Sequence, residues 1–224
     1  MLRSLLRRFL PPFTAAEDEE DNAPLLPPAR ILVVADLHLF FRDEMIQLKQ
    51  NAHKYDYDCV LLLGDIMKDE LREFVRMADG RPCLSVLGNH DVWGQNEGIE
   101  GLTNLDGKTV TVNGIRISGA GGGPRYKGGD WAMRTEEEME EVLRGIEKTD
   151  ILATHDSPFH LMQTNRSHSG FQAISDFIEK EKPAIHVFGH HHEQCIKKIG
   201  GTAELCVYQC ALLQTNPLMV RRIF

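Results

Sequence analysis

Three aspartates, an asparagine and a set of histidines stand in short blocks along the chain: Asp36-Leu37-His38, Gly64-Asp65, Gly88-Asn89-His90-Asp91, a lone His155, and Gly189-His190-His191-His192. Carboxylate, amide oxygen and imidazole are ligands for hard or borderline divalent cations. No thiolate stands among them, which points to manganese, iron or zinc. The blocks hold enough ligands for two ions. Two ions about 3.5 to 4 Å apart can share a bridging carboxylate and a water that loses its proton near neutral pH, an arrangement suited to in-line attack on phosphorus. A single buried histidine or aspartate is most simply a hydrogen-bonded structural residue; the repetition carries the inference. Three consecutive histidines cannot all face one point. In an extended segment alternate side chains share a face, so His190 and His192 are expected to face the centre and His191 to point away.

The segments ahead of these blocks must position them. Each block follows a short apolar run: ILVVA at 31–35, CVLLL at 59–63, CLSVL at 83–87, ILAT at 151–154 and AIHVF at 184–188. Runs this continuous read as strands covered on both faces, and in open α/β sheets ligands collect at the carboxyl ends of strands. Helices are predicted between them, at about 43–53, 68–79, 135–147 and 170–181, the last stopping ahead of Pro183. The alternation gives an α/β fold. Two stretches break it: TVTVNGIRISG carries Asn113-Gly114 between alternating strands, the strongest local hairpin signal, and CIKKIGGTAELCVY reads as two strands around Gly200-Gly201. They predict an antiparallel element beside the first sheet.

The 224 residues, 42% apolar, suffice for one sizeable core. A net charge of -8 repels a nucleic-acid backbone, and no basic patch after residue 30 offsets it, which counts against nucleic acid as a partner. Five cysteines without C-x-x-C spacing read as small buried hydrophobes of a reducing compartment. No apolar run approaches the roughly 18 to 20 residues of a membrane span, so a soluble, cytoplasmic protein is expected. Residues 1–29 differ from the rest. Leu2, Leu5, Leu6, Phe9 and Leu10 form a helical stripe opposite Arg3, Arg7 and Arg8, and an acidic, proline-rich linker follows. This tail is a candidate anchor for a membrane surface or a protein partner, or a targeting peptide, with a frayed terminus as the plainer reading. The domain proper is expected over 30–224.

Together, Asp36-x-His38, Gly64-Asp65, Gly88-Asn89-His90-Asp91, His155 and Gly189-His190-x-His192 resemble the calcineurin-like metallophosphoesterases, with all five blocks in family order across 31–192. The resemblance implies a four-layer α/β/β/α sandwich of two mixed sheets flanked by helices. It implies two divalent ions: Asp36, His38 and His192 on the first, Asn89, His155 and His190 on the second, with Asp65 bridging. His90 would face the substrate phosphate as stabiliser or leaving-group acid, oriented by Asp91, and Asn89 would also touch phosphate through its amide nitrogen. The implied reaction is hydrolysis of a phosphate ester by a metal-bridging hydroxide. The small size favours a phosphodiester; a phosphomonoester or phosphoprotein substrate is the alternative, and a docking scaffold that keeps the fold is the second. One departure is that Asp69 stands four residues after Asp65, where relatives often carry an aspartate three residues on. Beyond the blocks, His168 is a weaker substrate-contact candidate. Arg125 is another, in the glycine-rich GAGGGPRYKGGDW, which lacks the Gly-Lys-Ser/Thr of a nucleotide-binding P-loop. His53, His160 and His186 read as structural or solvated.

Overall fold

A computed structural model describes residues 25–38, 42–162 and 168–224. The amphipathic tail and most of the linker expected at 1–29 lie outside the described residues. In chain order the elements are β1 (Arg30–Ala35), α1 (Arg42–Ala52), β2 (Cys59–Leu62), α2 (Lys68–Ala78), β3 (Cys83–Ser85) and β4 (Leu102–Asn104). Then come β5 (Lys108–Val112), β6 (Ile115–Ala120), the short β7 (Gly123–Pro124) and β8 (Met133–Arg134), α3 (Glu136–Arg144), β9 (Ile151–Thr154) and α4 (Gln172–Glu181). The chain finishes with β10 (Ile185–Phe188), β11 (Cys195–Ile199), β12 (Thr202–Cys206), β13 (Gln209–Thr215) and β14 (Leu218–Arg222). The four predicted helices match α1 to α4 within a few residues.

Two six-stranded mixed sheets form, ordered β14-β13-β1-β2-β3-β4 and β11-β12-β10-β9-β6-β5. In the first, β1 to β4 run parallel and β13 returns antiparallel on β1. In the second, β6, β9, β10 and β12 are parallel, and β5 and β11 close the two edges antiparallel. The strand period of two sorts the layers. In β1, Ile31, Val33 and Ala35 face a core between the sheets, together with Leu61, Ile117, Ala153 and Val187. Leu32 and Val34 face the other way, onto Met45 and Leu48 of α1 and Leu71 and Phe74 of α2. On the far sheet, Leu152 and Ala120 turn outward onto Met139 and Leu143 of α3 and Ile174 and Phe177 of α4. The result is the expected α/β/β/α sandwich, and it explains why the strands read as continuous apolar runs.

The antiparallel stretches are not a separate element. The Asn113-Gly114 hairpin and the Gly200-Gly201 hairpin are the two ends of the second sheet, whose interior is parallel. Asn113 (φ 49) and Gly114 (φ 82) both take left-handed backbone, as a two-residue hairpin turn requires. The β13-β14 hairpin went unanticipated, because its sequence carries charge and amide side chains among the apolar ones. His186 is structural: in β10 its Nδ1 lies 2.6 Å from Glu204 Oε2 directly across on β12, and its Nε2 lies 2.8 Å from Thr154 Oγ1. The acidic run at 136–141 opens α3 with a capping box between Thr135 and Glu138. Among the described residues, no helix is long and apolar enough to cross a membrane.

Candidate metal centre

All the chemistry-bearing blocks come together where the parallel strands of both sheets end. Asp36 follows β1, Asp65 follows β2, the segment 88–91 follows β3, His155 follows β9 and the histidine triplet follows β10. Backbone hydrogen bonds lace these turns: Asp36 N–H donates to Gly64 O (3.1 Å) and Leu37 N–H to Asp65 O (3.0 Å). Two ties cross between the sheets. His155 Nδ1 lies 2.7 Å from Leu63 O, and His190 N–H donates to Asp36 Oδ2 at 2.9 Å. Asp91 Oδ2 accepts from both Asp65 N–H and Gly88 N–H at 2.8 Å, and Asp65 Oδ1 accepts from His90 N–H at 2.8 Å. The turns are tight enough to demand strained backbone. Asp36 (φ 57), Asp65 (φ 56), His190 (φ 67) and His192 (φ 54) are all left-handed, at about 1–2 kcal/mol each for a non-glycine residue. Gly88 is equally constrained: a Cβ there would sit 2.2 Å from Asp65 Oδ1 and 2.6 Å from the His155 ring.

Ligand atoms lie within 4.8 Å of one another in three groups: Asp36, His38 and His192; His38, Asp65 and His90; and Asp36, Asp65 and His155. The donor chemistry fits a cation. Leu63 O can only accept, so it fixes the proton of neutral His155 on Nδ1 and leaves a bare lone pair on Nε2. That lone pair faces Asn89 Oδ1 at 2.9 Å and Asp65 Oδ2 at 3.7 Å. Asn89 is held in this sense by its Nδ2, which donates to Tyr126 Oη at 3.2 Å. Three acceptors therefore converge with no hydrogen between them. Asp36, Asp65, Asp91 and Asp156 are each at most 4% exposed. Among the described residues none of the four pairs with a lysine or arginine; Asp65 and Asp156 face imidazoles, and Asp36 and Asp91 are held by backbone N–H groups and Gln95. A buried carboxylate without a cation costs several kcal/mol, which is the condition a divalent ion relieves.

The titration behaviour points the same way. Burial pushes the Asp36 carboxyl well above its ordinary range, and the charge of Asp65 adds to the push. Burial likewise lifts Asp91 to about 7, against the opposing hydrogen bonds from Gly88, Asp65 and Gln95. At Asp65 burial also acts upward, but His155, the His90 N–H and His38 outweigh it and hold the carboxyl low. Part of that support requires protonated imidazoles, and burial drives His155 down to about 4 and lowers His38 as well. Near neutral pH His155 and His38 are therefore uncharged, and among the described residues the carboxylates lack a lysine or arginine counter-ion.

Some placements differ from expectation. The carboxylate of Asp91 is turned into the loop, onto Asp65 N–H, Gly88 N–H and Gln95 Nε2, so it holds the turn and does not orient the His90 ring. His190 is not in the three ligand groups. Its Nε2 faces Asp156 Oδ2 at 3.6 Å, and its ring lies 4.9 Å from that of His155. His191 does point away, onto Ser157 Oγ (3.0 Å) and Asp156 Oδ1 (3.3 Å). The separation comes from left-handed turns at His190 and His192, not from an extended segment. The Arg125 guanidinium is directed to the start of α3, where its Nη2 donates to Glu138 of the capping box and to Met133 O. His168 is brought in, its ring stacked on His190 at 4.5 Å. Asp69 sits exposed in the first turn of α2, paired with Arg72. Tyr126, next to Arg125 in the glycine-rich loop, was missed, since only the fold reveals its contact with Asn89.

The raised Asp36 fixes a sign. A carboxyl whose folded pKa exceeds its unfolded value keeps a proton in the native state that the unfolded chain has already released, so its effect on stability turns unfavourable as pH rises from about 4. A divalent ion held by Asp36 would replace that proton. Calorimetric melting with and without manganese should therefore show a larger stabilisation at about pH 8 than at about pH 5; an equal or reversed gain would contradict this reading of the site.

Comparison with known proteins agrees with the geometry. A UPF0046 protein of Caenorhabditis elegans is 30% identical over 232 residues, spanning 89% of this chain and 76% of the other. Among solved structures, the phosphopantetheinyl hydrolase of Mycobacterium tuberculosis superposes with a TM-score of 0.55 at 14% identity, covering 80% of this chain and 89% of its own. An archaeal phosphodiesterase does so with a TM-score of 0.53 at 13% identity, covering 86% and 97%. These two similarities concern the fold. Residues 30–216 match the model of the calcineurin-like phosphoesterase superfamily domain, and the chain belongs to that family.

Proposed function

We propose that this chain is a metal-dependent hydrolase of phosphate esters, with a phosphodiester as the preferred substrate class. The observation that carries the proposal is the convergence of His155 Nε2, Asn89 Oδ1 and Asp65 Oδ2 without a proton to share, beside the Asp36, His38 and His192 group. Asp65 shares one ligand group with His38 and another with His155, so it faces residues of both proposed ion positions, as a bridging carboxylate must. Asp36, His38 and His192 would hold one ion, Asn89, His155 and His190 the other, and Asp65 both. When bound, divalent ions supply the Lewis acidity that acidifies an attacking water and draws charge from the phosphate oxygens.

The remaining work falls to side chains at the mouth. His90 is exposed and stacks on His38 with ring centroids 4.5 Å apart, so its imidazole can meet an ester oxygen and hand it a proton. His168, neutral because burial and then His190 lower it to about 4, flanks the other side against His190. His90 and His192 are both solvent-exposed. The mouth is therefore open enough for an ester carrying a substituent on each side of phosphorus.

The test joins metal analysis to hydrolysis of bis-p-nitrophenyl phosphate and p-nitrophenyl phosphate in manganese. The diester should be the better substrate, Asp65→Ala should be inactive, and His90→Ala should lose about 10²- to 10⁴-fold in kcat with its metal content intact. His190→Ala and His192→Ala should each lose one metal equivalent, whereas His191→Ala should lose none. Preference for the monoester would reassign the substrate class. Metal binding without hydrolysis of either ester would favour a docking scaffold, and a fully active Asp65→Ala would refute the mechanism.

A further inference from the structure

Strands β11 and β12 set Cys195 directly opposite Cys206. Facing residues of an antiparallel ladder share a face and have Cα atoms about 4.5 or 5.5 Å apart, inside the roughly 4.4–6.8 Å over which a disulfide closes. The two thiols are near enough to perturb each other electrostatically. Their surroundings differ. Cys206 is 1% exposed and its sulfur lies 3.8 Å from the carbonyl oxygen of Gly189, the residue before His190. Cys195 is half-buried, 3.9 Å from Met162 Sδ, with Lys197 two residues on along the same face.

We propose that Cys195 and Cys206 form a reversible dithiol–disulfide site, entered by a hydroperoxide at Cys195 and closed by Cys206. The Cys195 sulfur attacks one peroxide oxygen; an S–O bond forms, the O–O bond breaks, and the departing oxygen leaves as water or alcohol with the thiol proton. The Cys206 sulfur then displaces the hydroxyl of the Cys195 sulfenic acid. An S–S bond forms, the S–O bond breaks, and the Cys206 proton leaves in a second water. Two thiols have then given two electrons and two protons to the peroxide, and an external thiol restores them. The asymmetry suits this order. The hydrogen bond from Cys206, with help from Lys197 and against burial, brings the Cys195 thiol to about 7, and a thiolate with partial exposure is the reactive form. Cys59, Cys83 and Cys210 are buried and their thiols are pushed up. The bond would sit beside the loop that carries His190 and His192, yet it needs no catalytic activity to be detected.

Full-length protein treated with stoichiometric hydrogen peroxide, alkylated in denaturant and digested with trypsin gives a direct readout. Cleavage after Lys197 and Lys198 severs the backbone between the two cysteines, so only sulfur can then join their peptides, and a further chymotryptic cut after Tyr208 parts Cys206 from Cys210. The Cys195–Cys206 linked pair should become the main form of both peptides, disappear with dithiothreitol and be absent from Cys195→Ser, which alters the accessible partner and spares the buried strand. The proposal is overturned if both cysteines stay alkylatable after peroxide, if Cys195 stops at sulfinic acid with no cross-link, or if it pairs with Cys210.

Discussion

Four carboxylates buried at one end of two sheets, with imidazoles and, among the described residues, no lysine or arginine beside them, set the terms for the rest of the structure. Folding alone gains nothing by collecting Asp36, Asp65, Asp91 and Asp156 out of water, since the desolvation of each opposes it. The hydrophobic layers must therefore carry that cost. They do so through three layers of apolar side chains, one between the sheets and one under each helix pair, packed on strands that end together at the same edge.

The edge is also where the backbone is least relaxed. Left-handed conformations at Asp36, Asp65, His190 and His192 turn side chains toward one volume that extended backbone would send to opposite faces. The strain is held by specific bonds: the Asp91 carboxylate ties the turns after β2 and β3, and the His190 amide and His155 Nδ1 each tie one sheet to the other. Such outliers persist where the surroundings over-determine them, and they cluster at functional sites. The glycines of the blocks belong to the same design, for a methyl group at Gly88 or Gly189 would press into Asp65 or Asp36.

Much of this was legible in the sequence because strand cores and site residues are contiguous. An apolar run followed at once by Asp, Asn or His announces both a two-sided strand and what stands at its end, and the α/β/β/α layering and the gathering of Asp36, Asp65, Asn89 and His155 follow from it. Other features were illegible for physical reasons. The β13-β14 hairpin has a mixed pattern, and its place beside β1 is a long-range pairing that periodicity does not encode. The partners of Arg125, Asp91 and Tyr126 depend on loop paths, so a glycine-rich stretch could not say whether its arginine faced a phosphate or the start of α3. Side-chain direction at 190–192 came out as expected for His191, but through turns that a strand rule does not describe. The cysteines read as inert core, and only the register of β11 on β12 shows that two of them face each other.

The central claim is that these side chains form a two-ion centre with Asp65 between the ions. Crystals grown in manganese and measured near its absorption edge test it directly. The account predicts two anomalous peaks about 3.5–4 Å apart, one among Asp36, His38 and His192, the other among Asn89, His155 and His190, with Asp65 touching both. A single peak, or peaks away from these residues, would contradict it.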